Sequence, residues 1–326
     1  MKTKVIVLLL LITTTCILTI GCSDRINQVE SKLENPFDEY NGKESDQTRY
    51  EHITVESSVV DAPESMMFEY NGQPIIFQYQ MESDGLCEMG LMLFINGIQQ
   101  PFSVYGEEKN VHKVNLTPNK KEIFPVEFTP VVGENGEEVK LIFANIFNPE
   151  VITFKGNINT FGNNQNIFQA LPWSIKMNKS IPSNGIKIGN EYSVESFSEE
   201  ERESFVRVDE SGNRIDKLKL CMSFKRKVDN LEDLSILNLH NDKTVQFELY
   251  GNFPGRYRVS LFGDLEHIPI NGYDYIDVKV SGEKKYVINI PVNENQLDKY
   301  ENIFATAVSL DNIQGLLRSN SIYVDK

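Results

Sequence analysis

Residues 91–104 read LMLFINGIQQPFSV, in which an apolar run is followed by Asn96-Gly97 and by a second arm that contains Pro101. Asn-Gly between two apolar runs is typical of a tight β-hairpin, because both central residues of that turn adopt positive φ. Proline donates no hydrogen bond to a β-ladder, so Pro101 places the second arm at a sheet edge or at a bulge. The stretch therefore predicts an antiparallel sheet, with Gln99 exposed on the outer arm.

The first arm of this hairpin is apolar on both faces. Side chains alternate between the two faces of a strand, so Leu91, Leu93 and Ile95 share one face, and Met92 and Phe94 share the other. One set must face the core, and we predict that it is the set with Leu91, Leu93 and Ile95.

Similar signals occur along most of the remaining chain. Residues 67–70 and 75–80 flank Asn71-Gly72, which predicts a second hairpin, and residues 139–147 are apolar on both faces, which predicts a central strand. Seven further strand candidates lie at residues 217–224, 245–251, 256–262, 276–280, 286–292, 303–310 and 321–324. This number of short strands is typical of an immunoglobulin-like sandwich, although the chain lacks the Cys–Trp–Cys spacing of antibody domains.

The strand signals together predict an all-β fold with two tandem immunoglobulin-like β-sandwich domains. The N-terminal sandwich is predicted at residues 51–155 and the C-terminal sandwich at residues 186–326. Residues 156–185 are rich in turn-forming residues and are predicted to connect the two. Trp173, the only tryptophan, is predicted to pack between the domains. Ser198-Glu199-Glu200-Glu201 fits a capping box and predicts the solvated start of a short helix rather than a cation site.

The N-terminus has the pattern of a secretory leader. Lys2 and Lys4 precede an apolar run at residues 5–20. As a helix this run would rise about 24 Å, which is less than the roughly 30 Å of a hydrocarbon slab. A cleaved signal therefore fits better than a transmembrane span.

The end of the leader reads Thr19-Ile20-Gly21-Cys22 and resembles the lipobox of bacterial lipoproteins, with Thr19 in place of the usual leucine. The resemblance implies that residues 1–21 are a lipoprotein signal peptide and that Cys22 is acylated. Residues 22–50 would then be the acylated N-terminus and a flexible, polar stalk that holds the protein on the extracytoplasmic face of the cell membrane. An ordinary secretory signal with an incidental cysteine is the alternative.

Charge and cysteine content limit the kinds of partner. Removal of the leader with its two lysines changes the formal net charge from −15 to −17, which argues against nucleic acid as a partner. Cys16 leaves with the leader, so that Cys87 and Cys221 are the remaining candidates for a disulfide. We favour two partly buried thiols over a bridge, although the sequence does not decide this.

The sequence contains no catalytic, metal or cofactor motif. His52, His112, His240 and His267 have no close ligand spacing, and we predict that each lies in a loop or on the surface. Residues 209–216 have a faint likeness to a calcium loop, but a hairpin turn is the simpler interpretation.

One cluster is a candidate contact for a ligand or partner. Tyr273, Asp274, Tyr275 and Asp277 combine aromatic rings with carboxylates, a combination that can stack on a sugar or form a binding hot spot. The alternative is that the tyrosines are ordinary residues of a sheet face.

The function predicted from these features is that of a non-enzymatic binding or interaction module of the cell envelope. Its partner would be an unidentified envelope protein or an extracellular ligand, and no cofactor is implied. The alternative is an extracytoplasmic carbohydrate-active or other hydrolytic enzyme that uses two carboxylates about 5–10 Å apart in a cleft.

Overall fold

The computed structural model describes residues 54–326, except residues 61, 64–65, 148, 150–167, 183–184, 209–212, 217–221, 228–235, 312–314 and 320. The predicted leader, Cys22 and the predicted stalk lie outside the described residues. Regular structure in the described part is almost entirely β-strand.

The first sandwich contains strands β1 to β11. Their bounds are β1 (Val55–Val60), β2 (Met67–Tyr70), β3 (Ile75–Ser83), β4 (Cys87–Ile95), β5 (Ile98–Gln100), β6 (Phe102–Val104), β7 (Glu107–Lys109), β8 (Val111–Leu116), β9 (Glu122–Phe128), β10 (Glu138–Phe147) and β11 (Phe168–Met177). One sheet has the order β1-β3-β9-β6-β7, and the other has β2-β11-β10-β4, with β5 and β8 both paired to the free side of β4. The order β1-β3-β9-β6 opposite β4-β10-β11 is the A-B-E-D and C-F-G arrangement of an immunoglobulin constant domain.

The second sandwich contains the remaining strands and two short helices. Their bounds are β12 (Ile188–Gly189), β13 (Ser193–Glu195), β14 (Val206–Val208), β15 (Arg214–Asp216), β16 (Met222–Lys227), β17 (Ile236–Asn238), β18 (Thr244–Gly251), β19 (Gly255–Gly263), β20 (Glu266–Ile268), β21 (Tyr275–Val280), β22 (Lys285–Pro291), β23 (Asn302–Ser309), β24 (Leu316–Arg318), β25 (Ile322–Asp325), α1 (Glu199–Ser204) and α2 (Glu294–Leu297). The sheet β13-β22-β18-β16 packs on the sheet β12-β21-β19-β23-β25-β17, to which β20 and β24 add on β19 and β23. The all-β fold with two β-sandwich domains is thus confirmed.

Strand β11 lies within the range that was predicted to connect the sandwiches. It pairs with β10 and, in parallel, with β2, and a further bridge joins Ile181 to Gly133. The first sandwich therefore extends to about residue 181, and β12 and β13 begin the second soon afterwards. That each sandwich folds by itself stays a prediction.

Strand β4 is buried on both of its faces. Leu91, Leu93 and Ile95 belong to the core of the first sandwich, as predicted from their alternation. Met92 and Phe94, on the opposite face, are also fully buried, because they pack against the second sandwich.

Two sequence predictions about turns in the first sandwich meet different outcomes. Residues 67–70 and 75–80 do not form a hairpin, because β2 belongs to one sheet and β3 to the other, so that prediction is wrong. Pro101 lies between β5 and β6, where the chain leaves one sheet for the other, and β5 pairs only with β4. The predicted edge position of this arm is confirmed.

The predicted positions of Trp173, His112 and Gln99 are wrong. Each prediction considered only the local sequence and not the strands that pack against it. Trp173 packs 5.3 Å from the ring of Phe68 inside the first sandwich, not between the sandwiches. His112 is buried in β8, where its Nε2 lies 2.9 Å from the carbonyl oxygen of Phe102. Gln99 is only 8% exposed, because the second sandwich covers β5.

Helix α1 begins at the capping box that the sequence predicts. The Ser198 hydroxyl accepts the Glu201 amide N–H, and the Glu201 carboxylate accepts the Ser198 amide N–H at 2.7 Å. Glu201 also accepts a 2.7 Å hydrogen bond from Lys285, whose side chain is buried and lies 4.0 Å from the buried carboxylate of Glu248. This ion cluster attaches α1 to the edge of the second sandwich.

Lys285→Met should lower the free energy of unfolding by about 2–3 kcal/mol, because the Glu248 carboxylate would stay buried without this cation. Chemical denaturation of the full chain measures the change. Lys109→Met, at an exposed pair with Glu107, is the control and should leave the midpoint unchanged. Equal midpoints for the two variants would contradict the structural role of Lys285.

Candidate functional site

The two sandwiches meet through an apolar layer that we call the joint. It is formed by Met92, Phe94, Ile142, Ala144 and Ile146 of the first sandwich and by Phe262, Leu265, Phe304 and Val308 of the second. The rings of Phe94 and Phe262 cross edge to face with their centroids 6.2 Å apart. The sheet β11-β10-β4 is apolar on both faces. One face packs in the core of the first sandwich, and the other packs against the second sandwich.

The Asn96-Gly97 turn fits directly onto Arg258 of the second sandwich. Arg258 donates from Nη1 to the Asn96 carbonyl oxygen at 2.8 Å and binds both carboxylate oxygens of Asp277 at 2.7 and 2.8 Å. Gly97 has a φ of +75°, and a Cβ at this position would lie 2.8 Å from the Cβ of Arg258. Glycine is therefore required both by the turn and by the close approach of the sandwiches.

Further polar contacts border the joint. The Tyr275 hydroxyl accepts the Gln99 backbone N–H at 3.1 Å, and Lys140 donates to the Ser309 carbonyl oxygen at 2.8 Å. Burial raises the pKa of Tyr275 to about 12, so that its hydroxyl stays protonated at physiological pH. The orientation of the sandwiches is thus fixed by directional bonds as well as by apolar packing.

The four residues of the predicted contact cluster, Tyr273, Asp274, Tyr275 and Asp277, differ in burial and in their contacts. Tyr275 is 5% exposed, and it contacts the first sandwich, whereas Asp277 is bound to Arg258. Tyr273 and Asp274 are half-buried, and the Asp274 carboxylate accepts the backbone N–H of Lys187 at 2.8 Å. These contacts are internal, and a role of the four residues in binding a ligand or partner stays a prediction.

A cleft opens along one side of the joint. We call it the inter-sandwich cleft, and it comprises two adjoining cavities of about 380 and 520 Å³ that share Lys113, Asp264 and Leu265. The first cavity is also lined by Ile146, Pro149, Lys299, Glu301, Asn302, Phe304 and Arg318. Ligand sites commonly occupy cavities of such volume where domains meet, so the inter-sandwich cleft is the candidate functional site.

A strained turn forms one wall of the inter-sandwich cleft. Asp264 and Leu265 connect β19 to β20 with φ values of 45° and 73°, a region that disfavours residues with bulky side chains. Leu265 inserts into the joint, and the Asp264 carboxylate accepts the backbone N–H groups of Glu301 and Asn302 at 2.8 and 2.9 Å. Packing and these two hydrogen bonds hold the turn in a conformation that its sequence does not favour.

Cationic side chains border the same cavity. The Arg318 guanidinium lies 4.1 Å from the centroid of the Phe304 ring and donates to the Ser321 hydroxyl at 2.6 Å. Burial lowers the pKa of Arg318 to about 9, a value at which it is still charged at neutral pH. Lys299 lies 3.5 Å from Glu266 at the mouth of the cleft. Asn302, which is 4% exposed, has an Oδ1 atom with no hydrogen-bond partner among the described residues.

Two histidines, the buried His112 and the half-buried His267, are expected to make stability depend on pH. Burial lowers the pKa of both His112 and His267, and the Nε2 atom of each lies within 3 Å of a backbone carbonyl oxygen. The unfolded chain, whose histidines have a pKa of about 6.5, takes up protons before the folded chain does as the pH falls. This stabilisation is therefore complete above about pH 6.5 and is lost as the pH falls through the lowered pKa values.

Between pH 6.5 and 5 the free energy of unfolding should fall by at most about 1.4 kcal/mol per pH unit for each of these histidines. Urea denaturation at a series of pH values measures the slope. The double variant His112→Gln/His267→Gln should show a smaller slope than the parent. A parental slope in the double variant would contradict the assignment.

The one cysteine among the described residues is not activated as a nucleophile. Cys87 is buried, its Sγ lies 3.4 Å from the Ser83 hydroxyl, and burial raises the pKa of its thiol, which disfavours the reactive thiolate. In this part of the chain, no three His, Cys, Asp or Glu side chains could together hold a metal ion. His52, Cys221 and residues 209–212, for which a turn is predicted, lie outside the described residues. The flanking strands β14 and β15 pair antiparallel with each other.

Sequence reasoning did not identify the residues of the inter-sandwich cleft. Lys113, Asp264, Lys299, Asn302 and Arg318 come from five separate connections or strands and share no motif. The usable signal was indirect, because apolar residues on both faces of residues 91–95 and 139–147 indicate a second packing partner.

No protein-family model and no curated protein sequence matches the chain. Over the part of the chain that the structure describes, no helix has the length and apolarity needed to cross a lipid bilayer.

Several solved structures are similar to the chain at low identity. A 1.5-MDa bacterial ice-binding adhesin, from a study of host cell surface retention, is 11% identical over 84% of this chain and 65% of that chain, with a TM-score of 0.20. The Salmonella enterica SafA pilin with the SafB chaperone is 9% identical over 83% of this chain and 95% of that chain, with a TM-score of 0.23. The fibronectin(III)-like modules of Clostridium thermocellum CbhA are 9% identical over 83% and 94%, with a TM-score of 0.20. TM-scores this low support no argument about function.

Proposed function

We propose that the protein is a non-enzymatic interaction module of the cell envelope, anchored to the membrane through an acylated Cys22. The observation that carries this proposal is that several polar and charged side chains of the described sandwiches are already engaged in contacts within the protein. Arg258, Asp277, Tyr275 and Lys285 are bound to neighbouring elements, and the one described thiol is buried. Such an arrangement suits a rigid scaffold for binding better than it suits acid–base or nucleophilic chemistry.

The anchor follows from the lipobox-like residues. Each buried methylene contributes about 0.8 kcal/mol to membrane attachment, and a single myristoyl chain holds only marginally. A diacylglyceryl group with two long chains on Cys22 would hold the chain stably, while the polar residues 23–50 would separate the sandwiches from the lipid surface.

Cys22→Ala should abolish acylation and move the protein from the detergent phase to the aqueous phase in a partitioning experiment. The intact mass of the variant should show that the leader is no longer removed by the lipoprotein peptidase. Cys87→Ala is the control and should leave both readouts unchanged. A Cys22→Ala protein that partitions and matures like the parent would contradict the anchor.

The interaction itself can be tested in the cell that produces the protein. Cross-linking of the tagged full chain in intact cells, followed by purification from solubilised membranes, should recover a specific envelope partner. The control is an unrelated lipoprotein with the same tag. Recovery of the same set of proteins by both baits would contradict a specific interaction.

A hydrolytic enzyme remains the second candidate because two carboxylates, those of Asp264 and Glu301, line one cavity of the inter-sandwich cleft. Against this, Asp264 already accepts two backbone N–H groups. A glycosidase would release reducing ends from cell-surface polysaccharide, and Glu301→Gln should abolish that release. Activity that Glu301→Gln leaves unchanged would contradict a catalytic role for this pair.

A further inference from the structure

Three buried, uncharged polar side chains of the second sandwich face the joint. Side chains alternate between the two faces of a strand, and Phe262 of β19 and Phe304 of β23 belong to the joint. Ser260, Asn302 and Thr306 lie two positions from these rings on the same strands, so they share the face of the rings. Their exposed fractions are 0%, 4% and 1%. The joint therefore contains polar groups within its apolar layer.

Each of the three side chains has an atom that lacks a hydrogen-bond partner among the described residues. The atoms are Ser260 Oγ, Thr306 Oγ1 and Asn302 Oδ1. The side chains that the first sandwich contributes to the joint are all apolar, so they offer no donor or acceptor to these atoms. Because buried polar atoms nearly always have a partner, the shared location of the three on one face indicates a partner other than a side chain.

The two hydroxyl groups are neighbours across a pair of strands. Ser260 and Thr306 lie directly opposite each other in the antiparallel pairing of β19 with β23. Side chains in such positions have Cβ atoms about 4.5–5.5 Å apart. A hydrogen bond between two oxygens is about 2.8 Å long, so one small molecule placed between the hydroxyls reaches both.

The hydroxyl pair is close to the inter-sandwich cleft. Arg318 of β24 lies opposite Thr306 in the sheet and also lines the first cavity, so one side chain separates this hydroxyl from the cavity. Asn302 lines the same cavity. Neither Ser260 nor Thr306 lines either cavity of the cleft, which favours a partner smaller than the ligands that such cavities hold.

We propose that the joint contains a buried water-binding site, in which one water molecule bridges the hydroxyls of Ser260 and Thr306. A second water molecule, in the cleft, donates to Asn302 Oδ1. Water both donates and accepts, as does each hydroxyl, and buried waters make two to four hydrogen bonds, of which the hydroxyl pair supplies two. The sandwiches are thus joined through water as well as through direct contacts. This inference goes beyond the proposed function and does not depend on it.

Oxygen-17 magnetic relaxation dispersion, which counts long-lived internal water molecules, tests the proposal on the purified full chain in detergent. Ser260→Ala/Thr306→Val removes both hydroxyls and nearly keeps the side-chain volumes. The dispersion amplitude should fall by the equivalent of about one water molecule per chain. Ser58→Ala/Thr117→Val makes the same changes at two exposed positions and should keep the parental amplitude.

The melting temperature of the single variant Thr306→Val is a second readout. With a bridging water, the valine leaves Ser260 and the water one hydrogen bond short, so the melting temperature should fall by about 2 °C or more. In a dry joint, the valine would replace an unpartnered hydroxyl, and the melting temperature would rise. Thr117→Val is the control and should melt with the parent.

Two outcomes would overturn the proposal. One is an unchanged dispersion amplitude in Ser260→Ala/Thr306→Val, which is also the result expected if the two hydroxyls bond directly to each other. The other is a raised melting temperature of Thr306→Val, which would show that no water reaches this part of the joint.

Discussion

Phe94→Ala should lower the free energy of unfolding by about 3–5 kcal/mol, the usual cost of truncating a buried phenylalanine. Phe94 is fully buried, and its ring meets that of Phe262 across the joint. The loss falls on the contact between the sandwiches, so calorimetry should show one thermal transition in the parent and two in the variant.

A double-mutant cycle makes this prediction specific to the joint. Phe94→Ala and Phe262→Ala should together cost less than the sum of the single variants, by a coupling energy of about 0.5–1.5 kcal/mol. Ile123→Ala, at an exposed site on the opposite sheet, is the control and should be close to the parent. Strict additivity of the two phenylalanine variants would show that the rings do not meet.

Leu93→Ala should also be strongly destabilising, by about 2–5 kcal/mol, because Leu93 is fully buried in the core of the first sandwich. Ile76→Ala removes a similar side chain that is 63% exposed on β3 and should change the stability by less than about 0.5 kcal/mol. Chemical denaturation of the full chain compares the two. Equal midpoints would mean that the register of β4 is misassigned.

The sequence was sufficient for most of the strands predicted after residue 217 and for the core face of β4. Six of the seven strand candidates after residue 217 agree with the structure within one residue at each end, because alternation and turn residues are local properties. The Ser198 capping box is local in the same sense, and it was predicted correctly.

Which strands pair with each other could be predicted less well from the sequence. Residues 67–70 and 75–80 look like a hairpin, but β2 pairs with β11, about a hundred residues later in the chain. Gln99 is polar, and nothing in the sequence around it indicates the second sandwich that buries it. The inter-sandwich cleft depends on the same distant contacts, so its residues could be located only when the joint was known.

The joint also has a consequence for the thermodynamics of association. Two domains on a flexible hinge lose orientational freedom when one partner contacts both, and that loss reduces the affinity. Here the contact of Arg258 with the Asn96-Gly97 turn and the packing of Phe94 on Phe262 have already fixed the orientation during folding. A partner that spans both sandwiches therefore meets a pre-organised surface and loses little entropy to the chain on binding.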